Sequence, residues 1–333
     1  MFKKLALVAA LAACFASAAQ AQSNVTIYGR LNVTAERQDL DGNTQTVLAN
    51  NSSRIGFKGS EDIGNGLKAG FVLESGFDAT TGTADSRFWG RESTVSLSSS
   101  AFGTLRLGNL SSSEAYYATA DYVSLHNHDT GSSADVFYAL GFQVATGKMT
   151  NSVAYTSPTI SGFRGDVQVG LNDGEGDRRT VLAGNYDAGP LHLGAGYEEF
   201  NGLKSLAIRG LYEMGPWMFG GYIEQDSGSA DVDALNNILL ATDAKRTAFR
   251  VSAMYTMGAS EFHANYGKAD EIGDQANTGA DQYTLGYNYN LSKRTKVYGY
   301  YTAVKSDGAA AANIYTGGVQ DFSSFAVGLR HNF

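Results

Sequence analysis

Basic side chains recur on one face of a series of short alternating segments. Apolar and polar residues alternate in these segments with a period of two, so successive side chains point to opposite faces. Fixed guanidinium and ammonium groups along one polar surface can steer anions, although alone they do not make a catalytic site. By this parity the basic residues on the polar side are Arg30, Arg54, Lys58, Lys68, Arg106, Arg209, Arg250 and Arg330.

Other residues with possible chemistry form weaker patterns. His126 and His128, followed by Asp129, share a face of an extended segment and could ligate a metal, but we interpret the stretch as a polar loop. Gly194 and Gly196 have the spacing of a phosphate loop without a helix after it, which favours a strand. Metal and cofactor sites are therefore not expected.

The carboxyl-terminal segment shows the elements that must position these residues. Counting back in twos from Phe333 gives His331, Leu329, Val327 and Phe325, whereas the interleaved residues are small or polar. Such a strand has one apolar face and one polar face. Taken alone, it fits either a half-buried strand of a soluble sheet or a strand that faces lipid.

The amino-terminal segment has the pattern of a secretory signal peptide. A basic start at Lys3 and Lys4, an apolar stretch and Ala19-Gln-Ala21 predict cleavage after residue 21, with residues 22–333 forming the mature chain. A lipoprotein-type box ends at Cys14, the one cysteine of the chain, and we rank lipidation below simple cleavage. Removal of the two lysines takes the net charge from −8 to −10, which argues against a nucleic-acid partner.

The alternating segments repeat along most of the chain. With 40 Gly, 19 Tyr and 17 Phe against 3 Pro, the composition suits tight turns and close strands. One amino-terminal strand, seven hairpins and the closing strand make sixteen strands. Turns of roughly four to six residues alternate with loops of about six to forty, the asymmetry expected between the two rims of an outer-membrane barrel.

This repetition decides between the two interpretations of the closing strand. No second apolar run of about 18 residues follows the signal, so a closed barrel is the remaining way to span a membrane. Sixteen strands enclose an aqueous channel rather than a packed core. We predict an all-β fold, a 16-stranded antiparallel transmembrane β-barrel with short periplasmic turns and long external loops.

Several stretches resemble the general-diffusion porins of Gram-negative bacteria, most closely the beta-proteobacterial type. The resemblance implies a homotrimer of passive pores for ions and small solutes, each narrowed by an inward-folded third loop, which here is about 109–148. It also implies that Phe333 is the signal for the barrel-insertion machinery, and that membrane lipid and lipopolysaccharide surround the barrel. The matching stretches are Val25-Thr-Ile-Tyr-Gly29, Ser53-Arg-Ile-Gly-Phe-Lys-Gly-Ser-Glu-Asp-Ile-Gly64, Phe102-Gly-Thr-Leu-Arg-Leu-Gly108, Asn151-Ser-Val-Ala-Tyr-Thr-Ser-Pro158, Leu291-Ser-Lys-Arg-Thr295 and Val327-Gly-Leu-Arg-His-Asn-Phe333.

The same resemblance places a basic cluster on the barrel wall opposite acids on the third loop. Plain alternation points Arg91 outward, so its membership requires a bulge. The Pro-Glu-Phe-Gly tip of enterobacterial porins is missing, so the acid that faces the constriction stays open. The basic candidates are Arg30, Arg54, Arg91 and Lys148, joined by Lys58 and Arg106 from strand parity, and the acidic candidates are Glu114, Asp121, Asp129 and Asp135.

Two other functions share this fold. A channel selective for a sugar, phosphate or carboxylate would carry a dedicated site, and for sugars a continuous aromatic track, whereas the inward aromatic residues Tyr28, Tyr298 and Tyr300 are scattered. An outer-membrane lipase would need Ser and His on the outer wall. By parity His192 and His263 face the lumen and His331 lies at a strand end, which favours a channel that is not an enzyme.

Overall fold

The computed structural model describes residues 24–111, 131–133, 148–171, 179–200, 202–228, 244–308 and 321–333. Within these ranges, no helix is long and apolar enough to cross a bilayer. A short 3-10 turn spans Gly131–Ser133. The strands are β1 Asn24–Leu40, β2 Asn43–Asn50, β3 Arg54–Gly64, β4 Leu67–Gly76, β5 Glu92–Ser99, β6 Gly103–Ser111, β7 Lys148–Thr156, β8 Phe163–Gly170, β9 Arg179–Ala188, β10 Leu191–Phe200, β11 Leu203–Met214, β12 Trp217–Gly228, β13 Ala244–Met257, β14 Ser260–Ala269, β15 Ala280–Asn290, β16 Thr295–Ser306 and β17 Asp321–Asn332.

The strands form one antiparallel sheet that closes on itself. From β3 onward each strand pairs with the next along the chain, and β17 pairs with β1 through Arg30–Leu40 and Phe322–Asn332. Closure pairs the first and last strands, so backbone donors and acceptors are satisfied around the ring.

The seventeen strands occupy sixteen positions in the barrel. β2 and β3 both pair with the same edge of β1, β2 with its residues 33–40 and β3 with its residues 24–30. They are therefore two halves of one barrel strand, which gives the sixteen predicted positions. The alternation in the sequence predicts only the second half of this strand, from Arg54, and not β2.

The break between the two halves is held by hydrogen bonds from β1. Ser52 adopts a left-handed backbone conformation, with φ of 55°. The Arg30 guanidinium donates to the carbonyl oxygens of Asn51 and Ser52, at 3.3 and 3.2 Å. The Asn51 amide donates to the Asn32 carbonyl at 2.8 Å. The kink removes backbone groups of Asn51 and Ser52 from the strand pairing, and these hydrogen bonds give them other partners.

Burial is inverted relative to a soluble protein. Polar and charged side chains such as Asn32, Glu36 and Arg250 are at most 1% exposed, whereas Ile27 and Phe325 are 59% and 60% exposed. An apolar outer face and a polar interior are stable only when lipid surrounds the barrel. The closing strand therefore faces lipid with Phe325, Val327 and Leu329.

Tight turns join the strands on one rim. Gly189, Gly215 and Gly258 have φ between 57° and 61° and each begins a two-residue turn. Only glycine adopts this conformation without steric cost, and it matches the twist of a hairpin. This rim is the predicted turn side, and the opposite rim is called the loop side below.

The loop side differs in part from the sequence prediction. β1 and β2 are joined by residues 41–42, and β10 and β11 by residues 201–202, instead of loops of six residues or more. Strand β1 continues through Glu36-Arg37-Gln38-Asp39, where both faces are polar. Beyond the hydrocarbon both faces are in water, so alternation disappears although the strand pairing continues.

Aromatic pairs mark both ends of the apolar band. On the turn side, the rings of Trp217 and Tyr255 lie 4.7 Å apart. On the loop side, Phe249 and Tyr266 are 6.1 Å apart, and Tyr283 and Tyr301 are 6.0 Å apart. Paired aromatic belts are the expected boundary between hydrocarbon and headgroups.

Replacement of Ile208 by lysine tests this orientation. Ile208 lies near the middle of β11 on the outer face and is 54% exposed, so Ile208→Lys is expected to lower the free energy of unfolding in lipid vesicles by about 2–4 kcal/mol. The matched control is Ser93→Lys, on the outer face at the loop-side end of β5 and opposite the uncharged Leu73 and Asn109, with an expected cost of about 0–1 kcal/mol. Equal losses in a urea titration would contradict the assignment.

Candidate channel lumen

Strand parity carries the predicted basic residues onto the inner face of neighbouring strands. Arg30 on β1 and Arg54 on β3 are directly opposite in register. Lys58 lies further along β3, and its ammonium group is 5.0 Å from the centre of the Tyr28 ring. Arg106 on β6 shares the face of Ala154, which is 1% exposed. These four side chains therefore line the same continuous wall of the lumen.

Arg54 and Arg91 converge on one carboxylate. Glu74 of β4 accepts from Arg91 Nε at 2.5 Å and lies 3.8 Å from Arg54 Nη1. The Tyr28 hydroxyl also hydrogen-bonds to Glu74. Glu74 was not predicted from sequence, although its parity on β4, opposite to that of Leu73, would have placed it inside.

Arg91 reaches this cluster without a bulge in β5, contrary to the expectation from plain alternation. β5 begins at Glu92, so Arg91 belongs to the preceding connection, 77–91. The Arg91 amide donates to the Glu74 carbonyl at 3.2 Å. The side-chain amide of Asn109 donates to the Trp89 and Gly90 carbonyls at 3.2 and 3.3 Å, which fixes the end of the connection.

The connection 77–91 is anchored at its other end to the broken strand. Asn50 donates to the Phe77 carbonyl at 2.9 Å. At the start of the connection, the Thr80 hydroxyl and amide donate to the Asp78 carboxylate at 2.6 and 2.7 Å. These hydrogen bonds hold the pKa of Asp78 below its ordinary value, so Asp78 is a fixed negative charge at the loop-side mouth.

A second pair of basic residues lies on the wall next to β1. Arg330 of β17 and Lys296 of β16 are directly opposite each other, and Arg330 is also opposite Asn32 of β1. Like charges directly opposite on one face of a sheet are destabilising. Arg30 opposite Arg54 is a second pair of this kind. Together the two pairs concentrate positive charge on the neighbouring strands β1, β3, β16 and β17.

On the far wall, arginines lie beside acids or side-chain amides. Arg179 is 3.3 Å from Glu198, and Arg246 contacts Asp226 directly. Arg209 donates to Asn185 at 2.8 Å, and Arg250 donates to Gln282 at 2.9 Å. These groups stabilise the inner wall by matched hydrogen bonds. The lumen thus has one wall with like-charged pairs directly opposite each other, and a second wall on which each of these arginines lies beside an acid or an amide acceptor.

Glu36 of β1 contacts Ser132, one of the described residues 131–133 between β6 and β7. The Ser132 hydroxyl donates to Glu36 Oε2 at 2.7 Å, and the Ser132 amide donates to the Tyr300 hydroxyl at 3.1 Å. The Tyr300 hydroxyl itself donates to Glu36 Oε1 at 2.6 Å. Residues 131–133 therefore lie against the inner face of β1 and β16, although β3, β4 and β5 separate β1 from β6 in the sheet.

Further hydrogen bonds fix the Glu36 carboxylate. Thr34 donates to Oε1 at 2.8 Å, and Gln38 and Ser324 donate to Oε2 at 2.9 and 3.1 Å. A carboxylate this well supplied with donors is stable in a buried position. Sequence parity could have placed Glu36 inside, but only the tertiary structure brings Ser132 to it.

The remaining candidates lie outside the described residues. These are the acids Glu114, Asp121, Asp129 and Asp135, the pair His126 and His128, and the side chain of Lys148, whose backbone begins β7. Among the residues that are described, no group of three or more His, Cys, Asp or Glu could hold a metal ion.

Comparisons with known proteins agree on one family. The family model for Gram-negative porins matches residues 6–309. The chain is 31% identical to outer membrane porin protein 32 of Delftia acidovorans over the full length of both. It is 28% identical to major outer membrane protein P.IB of Neisseria meningitidis, over 94% of this chain and 95% of that protein. The solved anion-selective porin from Comamonas acidovorans superposes with a TM-score of 0.76 at 26% identity, covering 94% of this chain and all of that one.

Replacement of Glu36 by alanine tests its hold on residues 131–133. The variant loses the acceptor for the Ser132 hydroxyl and amide, so hydrogen exchange of a peptide containing Ser132 is expected to accelerate by at least about tenfold, since a lost hydrogen bond to a charged group costs about 1.5–3 kcal/mol. Glu199→Ala removes a carboxylate on the outer face and serves as the control. Unchanged exchange in Glu36→Ala would contradict this role.

Proposed function

The chain belongs to the Gram-negative porin family, and on this premise we propose that its channel prefers anions. The protein is an outer-membrane porin whose lumen lets ions and small hydrophilic solutes diffuse passively. In such a pore, selectivity depends on diameter and on the fixed charges of the lining. The proposal assigns these charges to Arg30, Arg54, Lys58, Arg91 and Arg106, with Lys296 and Arg330.

One observation carries the proposal: the two like-charged pairs that face each other across strands. Arg30 is opposite Arg54, and Lys296 is opposite Arg330. Arg54 and Arg91 also both lie against the carboxylate of Glu74 on the same wall. Because like pairs cost stability, their presence on a wetted wall is better explained by attraction of passing anions.

The relatives support this direction. The solved Comamonas acidovorans protein is described as an anion-selective porin. The mature net charge of −10 does not oppose an anion preference, because charges on the loops and the outer face do not line the wall. We retain the proposal that acids among Glu114, Asp121, Asp129 and Asp135 face the basic wall, with Lys148 as one of its members.

A channel selective for sugars is supported less well. The ring of Tyr28 lies against Gly56, where an added Cβ would come within 2.5 Å of it, and Tyr298 lies against Gly328 in the same way. Tyr298 and Tyr300 are 3% and 2% exposed. The inner aromatic rings are thus packed flat on the wall, which favours general diffusion. Saturable block of conductance by a small solute would favour the selective alternative.

The lipase alternative has little support in the described residues. His263 is 5% exposed and lies beside Asn288 at 3.0 Å on the inner face. His192 binds Asp187 at 2.7 Å at the turn side. His331 is on the outer face but pairs with the Thr295 hydroxyl at 2.8 Å. Lipid hydrolysis above background by the purified barrel would reverse this ranking.

Export and assembly complete the proposal. We infer that residues 1–21 are removed as a signal peptide and that the mature barrel forms a homotrimer. Phe333 closes the barrel through backbone hydrogen bonds with Gly29, at 3.0 and 3.1 Å, and is 40% exposed. An exposed terminal aromatic residue on the outer face suits recognition by the barrel-insertion machinery before closure.

Reversal of charge at Arg54 tests the anion preference. In planar bilayers under a salt gradient, Arg54→Glu is expected to shift the reversal potential toward cations and to change the permeability ratio by up to about thirtyfold, since the substitution changes the charge by two units and each unit charge about 4 Å from an ion is worth about 1 kcal/mol in water. Arg54→Lys keeps the charge and should keep the reversal potential near that of the wild type. An unchanged potential in Arg54→Glu would remove this residue from the selective set.

Deletion of Phe333 tests the assembly signal. The truncated chain is expected to give several-fold less folded trimer in the outer membrane, while channels that do assemble keep the wild-type reversal potential, because the lining is intact. Phe333→Tyr preserves an aromatic terminus and should assemble normally. Normal trimer yield from the truncated chain, measured by heat-modifiable migration, would contradict this role.

A further inference from the structure

Among the basic residues assigned to the channel lining, only Arg91 lies outside a strand, in the connection 77–91. The pleat of a strand fixes the face that each side chain takes, whereas a residue in a connection is oriented by its tertiary contacts. Alternation continued backward from Val95 through the start of β5 would point Arg91 outward. Contacts other than strand pairing therefore direct this side chain to the lumen.

The backbone directly before Arg91 is held by the side chain of Asn109 on β6. The side-chain amide of Asn109 donates to the carbonyl oxygens of Trp89 and Gly90, at 3.2 and 3.3 Å. An amide nitrogen of this kind carries two hydrogens, one for each carbonyl. The backbone amide of Gly90 in turn donates to the Arg87 carbonyl at 3.0 Å. The two peptide units that precede Arg91 thus have a fixed orientation.

Trp89 and Arg91 are anchored on opposite sides of the barrel wall. The ring of Trp89 lies 6.0 Å from that of Phe57, which is on the outer face of β3. The Arg91 amide donates to the Glu74 carbonyl at 3.2 Å, and Arg91 Nε lies 2.5 Å from the Glu74 carboxylate on the inner face. The peptide units held by Asn109 are those that join these two anchors.

The start of the connection is held by a different asparagine. Asn50 on β2 donates to the Phe77 carbonyl at 2.9 Å and accepts from the Ala79 amide at 3.2 Å. Phe77 also forms an antiparallel bridge with Ala84, so residues 77–84 are closed by their own backbone pairing. The contacts of Asn50 lie within this closed part, whereas those of Asn109 lie next to Arg91.

We propose that Asn109 is a positioning residue for ion selectivity, which holds residues 89–90 so that the Arg91 guanidinium enters the lumen beside Glu74. Asn109 is neutral and contacts the backbone of the connection, so its effect on permeation passes through Arg91. The inference rests on the proposed anion preference, to which Arg91 contributes one positive charge. It adds a residue that alters selectivity without belonging to the charged lining.

Reversal potentials of the purified protein in planar bilayers under a salt gradient test this role. Arg91→Gln is expected to lower the anion-to-cation permeability ratio about fivefold, the effect of one unit charge about 4 Å from an ion in water. Asn109→Ala should lower it about twofold, because displacing the charge to about 8 Å halves the interaction. In a protein that already carries Arg91→Gln, Asn109→Ala should change the ratio no further, since the two effects are coupled.

Matched variants separate positioning from a general loosening of the connection. Asn50→Ala removes a side-chain amide of the same kind from the other end of the connection and should keep the wild-type ratio. Asn109→Leu, which is of similar size and lacks the donors, should give the same shift as Asn109→Ala. Equal shifts in Asn50→Ala and Asn109→Ala, or a shift by Asn109→Ala that persists in the Arg91→Gln protein, would overturn the proposal.

The same recordings distinguish failure of this inference from failure of the proposed function. A clear shift in Arg91→Gln with none in Asn109→Ala or Asn109→Leu would overturn the role of Asn109 and leave the anion preference intact. If neither Arg91→Gln nor Arg54→Glu moved the reversal potential, the anion preference itself would fail, and the role of Asn109 with it.

Discussion

Closure of the sheet between β1 and β17 is the constraint on which the rest of the structure depends. In hydrocarbon no water is present to bind an unpaired backbone group, so every strand must have two neighbours. The register of Arg30–Leu40 with Phe322–Asn332 supplies the last of these pairings. Where β2 and β3 interrupt the ladder, the Arg30 guanidinium and neighbouring groups supply partners to the carbonyls that the kink releases. Arg30, a charged residue of the lumen, thereby also stabilises the barrel wall at the break between β2 and β3.

The same closure separates two environments along every strand. Side chains on the outer face meet lipid and are mostly apolar, with aromatic residues at both boundaries. Side chains on the inner face are buried but polar, and they depend on each other for hydrogen bonds. Arg250 with Gln282, Arg179 with Glu198, and Glu36 with Tyr300 are examples of this dependence. A buried polar network of this kind stabilises the wall only when its members are satisfied.

The proposed anion preference rests on a local imbalance within that network. The wall from β9 to β15 matches its arginines with acids and amides, whereas β1, β3, β16 and β17 bring Arg30 opposite Arg54 and Lys296 opposite Arg330. A stable barrel does not need these like-charged pairs, and a selective lumen gains from them. The contact of Ser132 with Glu36 places residues 131–133 against the inner wall of the same lumen. The barrel thus combines an open channel with fixed positive charges on one part of its wall.

The sequence by itself determined the fold class, the number of barrel strands and the inner or outer orientation of strand residues, because a period of two is imposed by the pleat and by lipid on one side. It missed strand β2 and the tight connections at 41–42 and 201–202, because beyond the hydrocarbon both faces are wet and alternation vanishes. Only the tertiary structure decided that Arg54 and Arg91 share Glu74, that Lys296 meets Arg330, and that Ser132 reaches Glu36. These contacts join residues far apart in the chain, and their proximity depends on strand register and closure, which local pattern does not encode.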